Sequence, residues 1–203
     1  MGRARRGRIR RRALLIAIPV VIVVAIVTVV AVVVSGRLVV PGISGRVYPL
    51  KYPDEIAAAA EKYDVDPYLI AAVARTESSF DPTAESGVGA VGLMQFLPAT
   101  AEWVTTLDGW KGPKNPVLTD PADSLELGAC YLSYLFHRFD SRIAAVAAYN
   151  AGPNKVASWV KQAGGEGGFG VDDIAYTETK NFVQRVDRWQ VLFEKAHPDA
   201  FGG

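Results

Sequence analysis

A single glutamate, Glu77, is the residue in this sequence whose position best suits acid–base chemistry. It opens the stretch ESSFDPTAESGVGAVGLMQFLPATA, residues 77–101, which is rich in glycine and small polar residues. A helix is expected to begin at Pro67, because proline favours the first helical position. Glu77 is the last of four residues at i, i+3, i+4 and i+7 spacing, which share one helix face. The other three are apolar: Ile70, Val73 and Ala74. The carboxyl group therefore points toward the apolar interior.

Two effects are expected to raise the pKa of Glu77. Its helix face is apolar, so burial disfavours the charged carboxylate. The helix is also expected to end at Phe80, Asp81 and Pro82, where the negative end of the helix dipole opposes a carboxylate. A carboxyl that stays protonated near neutral pH suits a general acid that protonates a leaving oxygen. The alternative is a structural glutamate that caps the helix end or pairs with a cation such as Arg75.

The glycine-rich segment after Glu77 is predicted to fold back across the glutamate and form the wall of a groove. Ser86 offers a hydroxyl, and Gln95 offers both a donor and an acceptor. These groups suit the hydroxyl and N-acetyl groups of a sugar. In the plainer interpretation the glycines serve turns and Met94 fills a gap in the core.

The elements that must position these residues are predicted to be helices. Prolines preceded or followed by aspartate mark helix starts near Pro53, Pro67 and Pro121, and Pro98 is placed similarly. Apolar residues then recur at helical spacing, for example Leu125, Ala129, Leu132 and Phe136. Strand signals are scarce, which favours a mostly α fold. The stretch GGEGGFG, residues 164–170, is interpreted as a mobile loop that connects two helices, with a substrate-gating lid as the alternative.

The N-terminal region predicts a membrane anchor. Seven arginines occur in residues 1–12, and residues 13–34 then contain no charge. A helix of 22 residues spans about 33 Å, which is enough for a hydrocarbon core of about 30 Å. The arginines are expected to stay in the cytoplasm and the rest of the chain to lie outside. The alternatives are a cleaved signal peptide and a nucleic-acid-binding arm.

These observations divide the chain into a basic tail (1–12), a transmembrane helix (13–34), an extracytoplasmic linker (35–52) and a domain (53–203). Without the seven N-terminal arginines, 15 of the 22 basic residues remain against 21 acidic residues, a formal charge of −6. The domain is therefore not predicted to bind nucleic acid. Cys130 is the single cysteine, so no internal disulfide can form. His137 and His197 are not clustered with other ligands, so no metal site is predicted.

Three blocks of residues resemble one known family. Residues 77–101 follow the pattern E-S-x-F-x-P-x-A-x-S-x-x-G-A-x-G-L-M-Q-x-x-P-x-T-A, and residues 148–152 read A-Y-N-A-G. Residues 174–179, IAYTET, resemble the motif I-P-Y-x-E-T. Over about residues 55–195 the chain resembles the soluble-type lytic transglycosylases of the goose-lysozyme-like superfamily. Three positions depart from the family pattern: Ala175 in place of proline, Phe182 in place of tyrosine and Asp81 in place of asparagine.

The resemblance implies a mostly α, lysozyme-like fold with a cleft that binds peptidoglycan glycan strands. Such enzymes cleave the β-1,4 bond between N-acetylmuramic acid and N-acetylglucosamine without water and form 1,6-anhydromuramyl ends. Glu77 would act as acid and then as base, with no metal or cofactor. Ordinary glycosidases need two carboxyl groups. No second acid stands out here, because Asp81 and Glu85 are interpreted as loop residues.

The same resemblance implies which residues contact the substrate. Besides Glu77 as the catalytic residue, it implies seven substrate-binding residues: Ser86, Met94, Gln95, Tyr149, Asn150, Tyr176 and Glu178. For Tyr149 an equal alternative is a helix-packed tyrosine whose hydroxyl bonds the backbone. The missing proline at Ala175 leaves the placement of Tyr176 open. A hydrolytic muramidase and a non-catalytic peptidoglycan-binding scaffold are the alternative functions.

Overall fold

The computed structural model describes residues 25–29, 32 and 44–202. In this part of the chain the protein is helical and contains no β-strand. Two isolated antiparallel bridges pair Val91 with Glu85 and with Phe96. The prediction of a mostly α fold is therefore confirmed.

Eight helices cover most of residues 44–202. They are α1 (Ser44–Val47), α2 (Pro53–Tyr63), α3 (Pro67–Ser78), α4 (Pro98–Val104), α5 (Pro121–Arg138), α6 (Arg142–Ala151), α7 (Pro153–Gln162) and α8 (Thr177–Ala196). Two 3₁₀ turns, Glu166–Gly168 and Val171–Asp173, connect α7 to α8.

Prolines and aspartates set the helix starts, as the sequence predicts. Helices α2, α3, α4, α5 and α7 each begin with proline, whose missing N–H would have no helical partner at that position. The Asp66 carboxylate accepts hydrogen bonds from the N–H groups of Tyr68 and Leu69 at the start of α3. The Asp120 carboxylate does the same for α5. Each such cap contributes about 1 kcal/mol to stability.

Helix α3 is the central element of the domain. It packs against α8, α2 and α5. Six consecutive residues of α3, Leu69 to Ala74, are buried on every side. A helix that is apolar all round belongs in the interior of a domain. Because the core surrounds α3 up to Ala74, the last turn of this helix brings Glu77 to the edge of the core.

The predicted basic tail and most of the predicted transmembrane helix, residues 13–34, lie outside the described residues. Among the residues that are described, no helix has both the length and the apolar character needed to cross a membrane. The second half of the predicted linker is described and contains α1. Tyr48 is buried there against Leu192 and Ala196 of α8, and its carbonyl lies 2.7 Å from Nε2 of His197.

The glycine-rich segment 164–170 is a connection that two side chains hold in place. Phe169 is buried in the core. The Glu166 carboxylate accepts a hydrogen bond of 2.6 Å from the N–H of Ser141, at the start of α6. The segment is thus fastened to α6, and it lies outside the lining of the pocket described below. The structure therefore favours the connection over the lid.

Candidate active site

Glu77 lies in the last turn of α3, and the chain turns sharply just beyond it. Ser79 and Phe80 both adopt left-handed backbone conformations, with φ of 56° and 64°. Each costs about 1 kcal/mol in a residue other than glycine. Phe80 offsets this cost because its side chain is 2% exposed and packs against Tyr52 and Phe193. The turn ends the helix at the point where Glu77 leaves the core.

The segment that follows folds back over the end of α3, as its glycines predict. The Ser78 hydroxyl donates a hydrogen bond of 2.9 Å to the Leu93 carbonyl and so ties the helix end to this loop. The Ser86 hydroxyl accepts a hydrogen bond of 2.9 Å from the N–H of Ala90 and closes a turn. Gly92 has φ of 82°, and a Cβ atom there would lie 1.8 Å from the Leu118 carbonyl oxygen. Only glycine fits this position.

Gln95 and Met94 lie side by side in the loop but differ in exposure. The Gln95 side-chain amide donates hydrogen bonds of 3.1 Å to the carbonyls of Ala84 and Gly92. Its carbonyl oxygen is thus left for a ligand. Met94 borders the pocket, yet its side chain is fully buried against Gly128 of α5. The Met94 side chain thus fills the core gap of the plainer interpretation, and its contact with a substrate stays a prediction.

An open pocket of about 460 Å³ lies over Glu77. It brings together seven of the eight residues predicted from the sequence: Glu77, Ser86, Met94, Gln95, Tyr149, Asn150 and Glu178. Sequence reasoning missed Thr100 of α4 and Tyr131 of α5, which also line it. Thr100 belongs to the P-x-T-A end of the first motif, so that signal was available. Tyr131 carries no such signal, because its helix is mostly core.

Burial raises the pKa of Glu77 from 4.5 to about 7. The positive charge of Arg185 opposes this rise, and the negative charge of Glu178 adds to it. Arg185 and Glu178 lie seven residues apart on α8, so both fall on the same helix face. In the part of the chain that the structure describes, Glu77 forms no ion pair. The predicted rise in its pKa is confirmed in direction, with burial as the largest cause.

Tyr149 is a packed tyrosine that also lines the pocket. Its hydroxyl donates a hydrogen bond of 3.0 Å to the Met94 carbonyl, as expected of a packed tyrosine. Its ring stacks on Phe182, which stands where the family usually has tyrosine, with centroids 6.2 Å apart. Burial raises its pKa well above 10, and the nearby Glu77 carboxylate raises it further. The residue thus lines the pocket as a neutral donor that is already engaged.

Asn150 joins the end of α6 to the start of α8. Its side-chain oxygen accepts a hydrogen bond of 2.7 Å from the hydroxyl of Thr179, which is buried. The amide N–H groups of Asn150 are thereby left for a ligand in the pocket. Gly152, with φ of 88°, then turns the chain from α6 into α7.

Tyr176 is not among the residues that line the pocket, so its role as a substrate-binding residue stays a prediction. Its side chain is 47% exposed and contacts Trp159 edge-on, with ring centroids 5.1 Å apart. The Lys155 ammonium lies 4.7 Å from the centroid of its ring. Both partners belong to α7. They hold the Tyr176 ring against that helix.

Glu178 is the second carboxyl group in the lining of the pocket. It lies in the first turn of α8, where the helix dipole favours a negative charge, and it is exposed. Asp81 is a loop residue that accepts hydrogen bonds from Thr83, and these bonds lower its pKa. Among the described residues no group of three or more His, Cys, Asp or Glu side chains could hold a metal ion. The pocket thus pairs the Glu77 carboxyl group, whose pKa burial raises, with the exposed carboxyl group of Glu178.

Comparison with known proteins identifies a family. A family model described as the transglycosylase SLT domain matches residues 54–169. The chain is 34% identical over 145 residues to soluble lytic murein transglycosylase of Salmonella typhimurium, covering 68% of this chain and 22% of that protein. It is 39% identical over 116 residues to membrane-bound lytic murein transglycosylase C of Yersinia enterocolitica, covering 52% of this chain and 32% of that one.

A solved structure agrees with this assignment. An inactive glutamate-to-glutamine mutant of lytic transglycosylase Slt from Pseudomonas aeruginosa superposes with a TM-score of 0.65 and 31% identity. The match covers 74% of this chain and 25% of that one. The chain thus spans about a third or less of the length of each of these proteins. Since the family model covers more than half of the chain, including Glu77, the chain belongs to the transglycosylase SLT domain family.

Proposed function

We propose that this protein is a peptidoglycan lytic transglycosylase. It cleaves the β-1,4 bond between N-acetylmuramic acid and N-acetylglucosamine and leaves 1,6-anhydromuramyl ends. The observation that carries the proposal is Glu77, a carboxyl group with a pKa of about 7 at an open pocket. The names of the relatives support the reaction. The Pseudomonas aeruginosa enzyme is inactive when one glutamate is replaced by glutamine, which supports assigning the reaction to a single glutamate.

Glu77 would act twice in the reaction. Its protonated carboxyl donates a proton to the glycosidic oxygen, the bond to C1 of the muramyl residue breaks, and the N-acetylglucosamine leaves as an alcohol. The neighbouring N-acetyl group stabilises the positive charge at C1. The Glu77 carboxylate then takes the proton of the muramyl C6 hydroxyl, whose oxygen bonds to C1. The proton returns to Glu77, so the acid is regenerated in each turnover.

A pKa of about 7 suits both steps. A normal glutamate would be almost fully ionised at neutral pH and would be a poor acid. The burial that raises the pKa of Glu77 therefore keeps both protonation states populated. The attacking C6 hydroxyl is part of the substrate, so the reaction needs no captured water. Such tethering can lower the barrier by several kcal/mol.

Three side chains would hold the reacting sugars beside Glu77. Gln95 offers its carbonyl oxygen, Asn150 its amide N–H groups and Ser86 its hydroxyl hydrogen, since other contacts occupy the remaining atoms of these groups. Together they supply donors and an acceptor for N-acetyl and hydroxyl groups. Tyr149 would brace the wall by its bond to the Met94 carbonyl.

Glu178 supports one second candidate, a hydrolytic muramidase. An inverting glycosidase places a carboxylate base across the cleft, with room for water between the two groups. Glu178 is an exposed carboxylate in the same pocket, so it could activate such a water. The two functions differ in the product, because hydrolysis leaves a reducing end and transglycosylation leaves an anhydro end that is one water lighter.

Mass spectrometry of the fragments that the full chain releases from purified peptidoglycan tests the proposal. We expect anhydromuramyl products from the unaltered protein, none from Glu77→Gln, and anhydromuramyl products at a changed rate from Glu178→Gln. Reducing-end products that disappear with Glu178→Gln would establish the muramidase instead. Binding to strands without release of any fragment would identify a scaffold and overturn both enzymes.

We also propose that residues 13–34 cross the membrane once, with tail 1–12 in the cytoplasm and linker 35–52 and domain 53–203 outside. The 22 uncharged residues behind seven arginines support this, and one relative is named membrane-bound. Extraction of membranes with alkaline carbonate should leave the protein in the pellet. Protease added to spheroplasts should digest domain 53–203. Release of the protein by carbonate would contradict the anchor, and protection from protease would contradict the orientation.

A further inference from the structure

The short helix α1, in the predicted linker, is attached to the last two turns of α8. Tyr48, just after α1, is 6% exposed and packs against Leu192 and Ala196. Its ring meets the ring of Trp189 edge-on, with centroids 6.1 Å apart. Its carbonyl oxygen lies 2.7 Å from Nε2 of His197, the residue that follows α8. The linker therefore joins the domain at the C-terminal end of α8.

This contact is separate from the main core. Tyr48, Leu192 and Ala196 form a small cluster of buried residues of their own, and Trp189 packs against it. Gly45 of α1 also lies close to α8, because a Cβ atom there would be 3.1 Å from Cε1 of His197. A satellite cluster of this kind can be disrupted without removing a side chain from the main core. The attachment of α1 to the end of α8 is called here the mount.

The mount and the pocket over Glu77 lie at opposite ends of α8. Glu178, in the first turn of the helix, lines the pocket. Ala196, the last residue of the helix, belongs to the mount. The two residues are 18 positions apart, which corresponds to about 27 Å along the helix axis. The linker thus joins the domain on the side remote from the catalytic glutamate.

The length of chain before α1 limits how the domain can turn. Nine residues, 35–43, separate the proposed transmembrane segment from α1. A chain of nine residues reaches about 30 Å when fully extended, and an unstructured chain of this length spans about 17 Å on average. To bring the pocket to the bilayer, these residues would have to cover about the 27 Å that separate the two ends of α8. Such near-complete extension costs conformational entropy.

We propose that the mount makes the anchored protein face away from the membrane, with the pocket over Glu77 on the side remote from the bilayer. The inference goes beyond the cleavage reaction and rests on the membrane anchor proposed above. If α1 left α8, residues 35–52 would form a chain of 18 residues that reaches about 60 Å, and the domain could turn either way. The mount therefore selects peptidoglycan strands by position, since it directs the pocket to strands beyond the domain rather than to strands on the bilayer surface.

Energy transfer to the bilayer measures which way the domain faces. The full chain is placed in lipid nanodiscs whose lipids carry an acceptor dye. A donor dye is attached by maleimide through Val88→Cys, beside the pocket, or through Lys195→Cys, beside the mount, and both side chains are exposed. Cys130 is buried and its pKa is raised to about 11, so it reacts little with maleimide. We expect the dye at position 88 to lie about 20 Å farther from the bilayer, close to the rise of α8 between its ends.

Two variants release the mount in different ways. Tyr48→Ala removes the buried ring, and Gly45→Leu crowds the imidazole of His197. Each should remove most of the difference in distance between the two dyes. Val47→Ala changes a side chain of α1 that is 39% exposed, and it should keep the full difference. The helical circular dichroism of each variant shows whether the domain is folded.

Three results would overturn the inference. The first is an equal distance of the two dyes from the bilayer in the unaltered protein. The second is a full difference in either Tyr48→Ala or Gly45→Leu when the variant keeps its helical circular dichroism. The third is failure of the full chain to enter nanodiscs, which would remove the proposed anchor and the inference with it. The measurement needs no turnover, so a failure of the proposed enzymatic function would leave its result unchanged.

Discussion

Two glutamates at the edge of the core, Glu77 and Glu126, experience opposite surroundings. Glu126 lies on α5, its side chain is 21% exposed, and its Oε1 atom lies 2.6 Å from the Lys62 ammonium of α2. Glu77 lies at the end of α3, and among the described residues it has no such ion pair. Burial raises the pKa of Glu77 to about 7, with Arg185 acting on it only at longer range.

The difference separates a structural carboxylate from a chemical one. Packing a charged group away from water is unfavourable unless a partner compensates it. At Glu126 the ammonium of Lys62 supplies that compensation and links α2 to α5. At Glu77 no ion pair among the described residues offsets the cost of burying a charge. The carboxyl group is therefore harder to ionise, and its pKa is raised. The strained turn and the buried Phe80 next to Glu77 maintain this unfavourable arrangement.

The largest expected effect is on catalysis. Glu77→Gln should lower the rate of peptidoglycan cleavage at least about 10³-fold, since general acid and base catalysis are both lost. Glu126→Gln should keep the rate within about threefold, because its side chain lies outside the lining of the pocket. The measurement is the initial rate of fragment release at pH 6.5. Equal losses of cleavage rate in Glu77→Gln and Glu126→Gln would contradict the different roles assigned to the two glutamates.

The next effect is on stability and its dependence on pH. The pKa of the Glu77 carboxyl group is about 7 in the folded protein and 4.5 without the influence of the fold. As pH rises, this group therefore loses its proton at lower pH in the unfolded chain than in the folded protein. The stability associated with Glu77 is therefore complete below about pH 4.5 and is lost as pH rises through about 7. The loss amounts to about 3 kcal/mol, at about 1.4 kcal/mol per pKa unit.

Urea unfolding at several pH values measures this loss. Glu77→Gln should exceed the unaltered protein in stability by a margin that grows by up to about 3 kcal/mol between pH 4.5 and 8. Glu126→Gln should show no such gain, since it weakens the hydrogen bond from Lys62. A margin for Glu77→Gln that stays constant with pH would mean that the Glu77 carboxyl titrates normally.

A smaller effect follows from breaking the ion pair at Glu126. Lys62→Met leaves a partly buried carboxylate whose Oε2 atom already lacks a hydrogen bond in the described structure. We expect a loss of about 1–2 kcal/mol, less than for a fully buried pair because the side chains are 33% and 21% exposed. Combining Lys62→Met with Glu126→Gln should recover part of it. If the single and double variants are equally unstable by urea unfolding, lost packing of Lys62 is responsible instead.

The smallest effects should be shifts in the pH profile of cleavage. Activity requires protonated Glu77 and should fall as pH rises above about 7. Glu178→Gln removes a negative neighbour, lowers the pKa of Glu77 and should move this decline to lower pH. Arg185→Gln removes a positive neighbour and should move it to higher pH. Arg188→Gln, one turn along α8, serves as the control, and shifts of the wrong sign would contradict the assigned causes.

Local signals in the sequence predicted much of the site. Proline and aspartate placed the helix starts, the apolar face of α3 placed Glu77 at the edge of the core, and the glycines placed the loop across it. Gly92 shows how a local signal works, because its positive φ of 82° is a backbone conformation that residues with a side chain rarely adopt. The contacts of Tyr176 could not be predicted in this way, because its partners Trp159 and Lys155 belong to another helix.

The charge of Arg185 near Glu77 was not predicted at all. Arg185 carries a weak signal in its spacing from Glu178, seven residues along the same helix. The edge-on contact between the rings of Trp103 and Tyr131 carries none, because the two residues belong to different helices. Spacing along one helix shows which side chains share a face, but it does not show which helices meet.

The sequence by itself determined where the helices begin, which of their faces are apolar and which carboxyl group lies in the last turn of the buried helix α3. These properties follow from the chemistry of neighbouring residues. Only the tertiary structure decided which carboxylate is paired, because Lys62 and Glu126 are 64 residues apart and meet only when α2 packs on α5. Electrostatic energy depends on distance through space and on burial. The raised pKa of Glu77 therefore arises only in the folded chain.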